Sequence, residues 1–198
     1  VVAAPGGVVW VSDNSGEYSA VSALRLEVDQ AAAATAQALV ATPEPDAADA
    51  PPAASLMRQW ASEATASSFY APDYDPAGAT GPPNVPICQD SPDAWASADP
   101  NGLETLELRY GTPVFAVGVT IHQSYNPGFV SKVELIDERG EATTVYTATP
   151  APAGQCPLAL EISFDQTLTR IVAVRLTVDQ RPGANWNEID AVELVGVP

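Results

Sequence analysis

The sequence predicts an all-β protein: an antiparallel jelly-roll β-sandwich with an N-terminal strand arm and a Pro/Ala-rich linker. Three observations carry this. Val172, Val174, Leu176 and Val178 alternate with Ala173, Arg175, Thr177 and Asp179, the period of a strand with one face in a core and one in water. Similar short runs recur along residues 103–197, separated by turn residues such as Asp137-Glu138-Arg139-Gly140 and Pro182-Gly183. Helical periodicity is almost absent; alanine-rich Ala31 to Ala41 is the one stretch with helix propensity.

Taken in order, residues 1–30 hold two strand-like pieces, Val8 to Val11 and Val21 to Val28, around the turn residues Asp13-Asn14-Ser15-Gly16. They read as a hairpin or strand arm. The piece Ala23 to Gln30 resembles Ala173 to Gln180, which is one short match and no repeat. Residues 31–56 form an Ala/Pro-rich linker. Residues 57–198 form the sandwich. Its first part, 56–102, reads as loop. Strands follow at Leu106 to Tyr110, Phe115 to Ile121, Val130 to Ile136, Thr143 to Thr147 and Leu158 to Phe164. Gly111-Thr112-Pro113 is a turn between the first two. Ile171 to Asp179 and Glu188 to Val195 close the chain as a strand pair across the turn Arg181 to Asn187, with Ile189, Val192, Leu194 and Val195 as apolar members of the second. Val119 and Leu176 are core residues in this phase.

Charge removes several functions. The 198 residues carry 8 Lys+Arg against 25 Asp+Glu, a net charge of −17. Between Glu44 and Glu104 ten acids face one cation, Arg58. Nucleic acid binding needs a basic surface, and an anionic membrane surface repels this one. No apolar run approaches the roughly 20 residues of a membrane-spanning helix. Nineteen prolines, one lysine and an acidic surface fit an extracellular or cell-surface protein, and the start at Val1 without Met reads as a processed product. In such a compartment the two cysteines pair, which predicts a Cys88–Cys156 disulfide.

Several stretches resemble a known family. They are Gln59 to Ser68, Ala79 to Asn84, Asp93 to Ser97, Leu106-Glu107-Leu108 with Pro113-Val114, Val130 to Leu135, and Trp186 to Leu194. Their order over residues 57–197 is similar to discoidin-like domains, the coagulation-factor type C or galactose-binding-like jelly rolls. The Tyr125-Asn126-Pro127-Gly128 turn resembles bacterial surface-protein versions. The resemblance implies a non-catalytic module that binds sugars, lipids or proteins through loops at one end of the sandwich. It also implies a structural calcium, with Asn84, Asp90 and Asp93 on the loop side and Glu193 on the strand side, although the sequence carries no Asp-Gly-Asn loop there. A solvated acidic loop is the other reading of those residues.

The chemistry of single residues is sparse. His122 is the only histidine and falls on an outward strand face; no Gly-x-Ser-x-Gly elbow accompanies it. Two distant cysteines and one histidine do not make a zinc spacing. No carboxylate pair is singled out for glycoside hydrolysis. Tyr125 and Asn126 end one strand, and Trp186 and Asn187 precede another. A ring beside an amide suits a sugar face and its hydroxyls; alternatively Trp186 plugs the core and Asn126 holds its own turn. The expected function is therefore a non-catalytic extracellular binding or adhesion module for carbohydrate or surface protein. The alternative is a structural subunit of an extracellular filament or surface layer, self-assembling through residues 8–28 by strand donation.

Overall fold

The computed structural model describes Val2–Ala3, Val9–Trp10 and residues 55–198. The chain divides into two compact units, Val1–Pro51 and Pro52–Pro198. In the first, β1 (Val2–Ala3) pairs antiparallel with β2 (Val9–Trp10). The expected strand at 8–11 thus finds a partner upstream of it, and the expected strand at 21–28 and the linker at 31–54 lie outside the described residues.

The second unit is an antiparallel β-sandwich. Its strands are β3 (Met57–Trp60), β4 (Glu63–Ala66), β5 (Leu103–Tyr125), β6 (Val130–Asp137), β7 (Ala142–Thr147), β8 (Leu158–Ser163), β9 (Ile171–Asp179) and β10 (Glu188–Val197). One layer runs β3-β10-β5-β8 and the other β4-β5-β9-β6-β7. Strand β5 belongs to both. Its 23 residues pair with β9 through Leu103 to Arg109 and with β10 from Phe115 onward. A strand turns such a corner at a bulge, and the register breaks between Arg109 and Val114. Gly111-Thr112-Pro113 is therefore a bend inside one strand and not a turn between two. Gln59 takes up the freed backbone groups there, donating Nε2 to Thr112 O at 2.7 Å and accepting Thr112 N at 3.2 Å.

Because β5 lies between them, β9 and β10 are not neighbours, which corrects the expected closing pair. The alternation in β9 holds for Val174, Leu176 and Val178, all fully buried. It fails at Val172. Ile136 faces Ala173 and Asp137 faces Ile171, so Val172 is the extra residue of a bulge and Ile171 enters the core in its place. Val119 and Leu176 sit in the core as expected. The opening of this unit is not all loop, since β3 pairs with β10 and β4 with β5 at the layer edges.

The core holds Leu106, Leu108, Ile121, Leu135, Ile171, Leu176, Ile189 and Leu194 from the strands, Phe129 from the connection just before β6, and Trp95 from the long loop before β5. Trp95 is fully buried. It exchanges backbone hydrogen bonds with Ile189 at 2.9 and 3.0 Å, and its Nε1 donates to Ser68 O at 3.0 Å. One aromatic side chain thus fixes loop 67–102 across the start of β10. Gly183 permits the closure of the facing turn, since a Cβ there would stand 2.2 Å from the Phe129 ring.

Candidate functional site

Two carboxylates at the start of β10 hold the loop that precedes Trp95. Asp190, 3% exposed, accepts Asn84 N at 3.1 Å and Val85 N at 3.2 Å. Glu188, 2% exposed, accepts Ser91 N at 3.1 Å. Between these points Cys88 bonds to Cys156, with the Cα atoms 5.2 Å apart. The disulfide expected from the cysteine count is present, and it ties the acidic loop to the segment before β8.

Above this clamp the loops bring three rings together. Tyr70 meets Tyr74 edge-on with ring centroids 5.4 Å apart, and meets Trp186 at 5.2 Å. Trp186 Nε1 donates to Ser97 O at 2.8 Å, which locks the indole. Tyr74 donates its hydroxyl to Asp90 Oδ1 at 2.6 Å; that bond, then burial, raises the phenol above its ordinary range. The rings, Ala96, Asp90 and Glu188 enclose a pocket of about 60 Å³. Burial pushes the Glu188 carboxyl up to about 8, the Ser91 N–H opposes the shift, and the Asp90 charge adds to it.

The residues singled out in the sequence are dispersed around this feature. Trp186 lines the pocket. Asn187 is fully buried; its N–H donates to Gln180 Oε1 at 2.6 Å and its Nδ2 to Tyr125 O at 3.2 Å, so it braces the strand ends from inside. Tyr125 and Asn126 are half-buried beside it, Asn126 with φ +42° in the turn to Gly128. Of the residues named for calcium, Asp90 is engaged by Tyr74. Glu193 lies on β10 with both oxygens on Arg58, at 2.9 and 2.5 Å. Asn84 contributes a backbone N–H to Asp190, and Asp93 is exposed. Among the described residues no three His, Cys, Asp or Glu side chains converge as a metal-ligand group. Asp190 and Glu188 link the loop to the strand through backbone N–H groups.

His122 lies outward on β5, 5.6 Å from the Trp60 ring, at the edge of a cleft of about 320 Å³ with Pro83, Pro86, Gln155 and Asp190. Tyr70, Tyr74 and Glu188 were not singled out by the sequence. The nearest signal was the cluster Tyr70, Asp73, Tyr74, Asp75, two rings among acids in an aperiodic stretch. No described helix is long and apolar enough to cross a membrane.

Solved structures share this architecture. The chitosan-binding module 1 of a chitosanase/glucanase from Paenibacillus sp. IK-5 is 20% identical with a TM-score of 0.52, over 67% of this chain and 92% of that one. The family 32 carbohydrate-binding module of NanJ from C. perfringens, solved with galactose, is 17% identical with a TM-score of 0.50, over 70% and 99%. Module 2 of the Paenibacillus enzyme, solved with chitotriose, is 18% identical with a TM-score of 0.50, over 64% and 90%. No curated protein matches the chain in sequence. The fold is thus the discoidin-like jelly roll of the family 32 carbohydrate-binding modules. Residues 51–198 match the family described as pappalysin-1, SD scarf domain, C-terminal, and the chain belongs to that family.

Proposed function

We propose that residues 51–198 are a non-catalytic carbohydrate-binding module working outside the cell, with its site at Tyr70, Tyr74, Trp186, Asp90 and Glu188. The observation that carries the reading is the ring cluster set over two carboxylates at the loop end. Tyr70 is 55% exposed, so its face is open to a sugar ring while neighbouring oxygens take hydroxyl protons. Neighbours of the same fold were solved with galactose and with chitotriose. The disulfide supports an oxidising compartment.

Size favours binding over hydrolysis. Pockets that enclose a whole small ligand run to about 300–1,000 Å³. At about 60 Å³ this one admits a substituent, leaving the ring on the rim, so Asp90 and Glu188 are not placed to flank a glycosidic bond. Nothing among the described residues favours the filament alternative. The test is a glycan array followed by calorimetry on the wild type, Tyr70→Ala and Trp186→Ala, with circular dichroism to verify folding. Binding by the wild type and its loss in both variants is expected. Unchanged binding in both would move the site elsewhere.

A further inference from the structure

The outer face of the β3-β10-β5-β8 layer carries a trough that the ring pocket does not use. Strands β5 and β8 pair from Gly118 opposite Ser163 to Gln123 opposite Leu158. Val119, Ile121, Leu160 and Ile162 turn to the core, so Gly118, Thr120 and His122 on β5 and Ala159, Glu161 and Ser163 on β8 turn outward. Two clefts lie on this floor. One, of about 320 Å³, is lined by His122, Ala159, Gln155, Pro83 and Pro86. The other, of about 310 Å³, is lined by Gly118, Thr120, Glu161, Ser163 and Arg58. His122 faces Ala159 and Thr120 faces Glu161 in successive outward rows of one strand pair, so the clefts meet end to end. Together they follow the strands for roughly 20 Å. Trp60 stands on the same face, opposite Glu193, with its ring 5.6 Å from that of His122 where the clefts join.

We propose that this trough is a second binding surface, which takes an internal stretch of a linear, uncharged glycan chain laid along β5 and β8. This rests on the carbohydrate-binding reading above and adds a chain interior to the single sugar at the tip. Shape, side chains and charge select the occupant. Two clefts in line fit a polymer, whereas the tip pocket of about 60 Å³ fits one substituent. Thr120, Ser163, Gln155 and Glu161 present hydroxyl, amide and carboxylate groups to sugar hydroxyls, which both donate and accept. Trp60 against His122 is a flat apolar surface for a sugar face at the junction. A peptide finds no such match. The backbone groups of β5 are spent on β10 and β8, so the face offers no main-chain pairing. Arg58 gives its guanidinium to both Glu193 oxygens. Asp190 gives both oxygens to Asn84 N and Val85 N. What remains is the exposed Glu161 carboxylate. No free Lys or Arg lines the trough to hold an acidic sugar.

The test is calorimetry on the full chain. The probes are hexamers and dimers of β-1,4-linked glucose, β-1,4-linked mannose and β-1,3-linked glucose, with a galacturonate hexamer as the acidic comparator. Ala159→Arg, at an exposed position, blocks the junction without touching the core. His122→Ala removes half of the ring surface there, and Tyr70→Ala empties the tip site. Circular dichroism verifies each fold. At least one neutral hexamer is expected to bind about ten-fold or more tighter than its own dimer and than the galacturonate hexamer. Ala159→Arg and His122→Ala should bring that hexamer down to the affinity of the dimer, while the hexamer-to-dimer ratio survives in Tyr70→Ala. A ratio that survives both trough variants, or that only Tyr70→Ala abolishes, overturns the trough and leaves the carbohydrate reading standing. Neutral hexamers that bind no tighter than their dimers do the same. Tighter binding of galacturonate overturns the uncharged chain as occupant. Binding of no glycan, here or on the array, overturns both readings.

Discussion

Asp190→Asn tests whether carboxylates from β10 hold the early loop. The side chain is 3% exposed, and each of its oxygens accepts one backbone N–H, from Asn84 and Val85. Asparagine keeps the shape but replaces one acceptor by an NH₂ that faces an N–H. One charge-assisted hydrogen bond, worth about 1.5–3 kcal/mol, is lost. The stranded N–H adds a desolvation cost of about 1 kcal/mol or more. The sum is roughly 2–4 kcal/mol, which for a unit of this size lowers Tm by about 6–12 °C. Urea titration gives the free energy, and amide exchange at Asn84 and Val85 shows whether the loop itself has opened. A loss below ~0.5 kcal/mol with unchanged exchange would refute the clamp. The same reasoning predicts that chelator or added calcium shifts the wild-type Tm by less than ~1 °C, because the link is already made by N–H donors. A large calcium-dependent rise would show that an ion does this work.

Three further outcomes follow from the same geometry. Reducing Cys88–Cys156, which spans 68 residues, should cost about 4 kcal/mol in the chain-entropy model, read as a lower urea midpoint with dithiothreitol. Leu176→Ala, at a fully buried site, should cost about 2–5 kcal/mol, and Val119→Ala about 2–4, with no change in m-value. The pH dependence should carry the mark of Glu188. Its folded pKa is raised, so the unfolded chain loses this proton first as pH rises from about 4.5, and stability falls until about 8. The decline is on the order of 4 kcal/mol, and Glu188→Gln should flatten it. Asp137 and Asp179 act in the opposite sense. Hydrogen bonds to Asp137 from Glu141 and Arg139, and to Asp179 from Arg181, lower their pKa values, so their contribution is lost as pH falls through the acid range.

The strands were legible where one face meets the core and the other meets water. Val174, Leu176 and Val178 show this, as do Val119 and Ile121. The signal broke where geometry other than alternation governs. Val172 is apolar and in phase, yet a bulge turns it outward. Gly111-Thr112-Pro113 has turn chemistry, but here it bends a continuous strand from one layer to the other. Strands β3 and β4 are four residues each and lie at the layer edges, too short and polar for a period to show. The site was the least legible part. Tyr70, Tyr74 and Asp90 sit in an aperiodic loop whose shape depends on Trp95, Asp190 and the disulfide, all contacts distant in sequence. Trp186 and Asn187 are adjacent, yet one lines the pocket and the other faces inward. Sequence adjacency carries no information on that choice.

The pairing of β3 with β10 has a mechanical consequence. Met57 lies opposite Gly196, so the chain enters and leaves the sandwich side by side. The aromatic pocket is at the other end of β10, ten residues away, or roughly 30 Å along an extended strand. The sandwich is a pendant with both leads at its base and its rings at the tip. Tension between the two leads would peel β3 from β10 one hydrogen bond at a time, the weak direction for a sheet. A pull from a ligand at the tip instead loads β5 and β10 along their length, where many bonds share the force. Such a module resists being torn off its ligand better than it resists being stretched between its own ends.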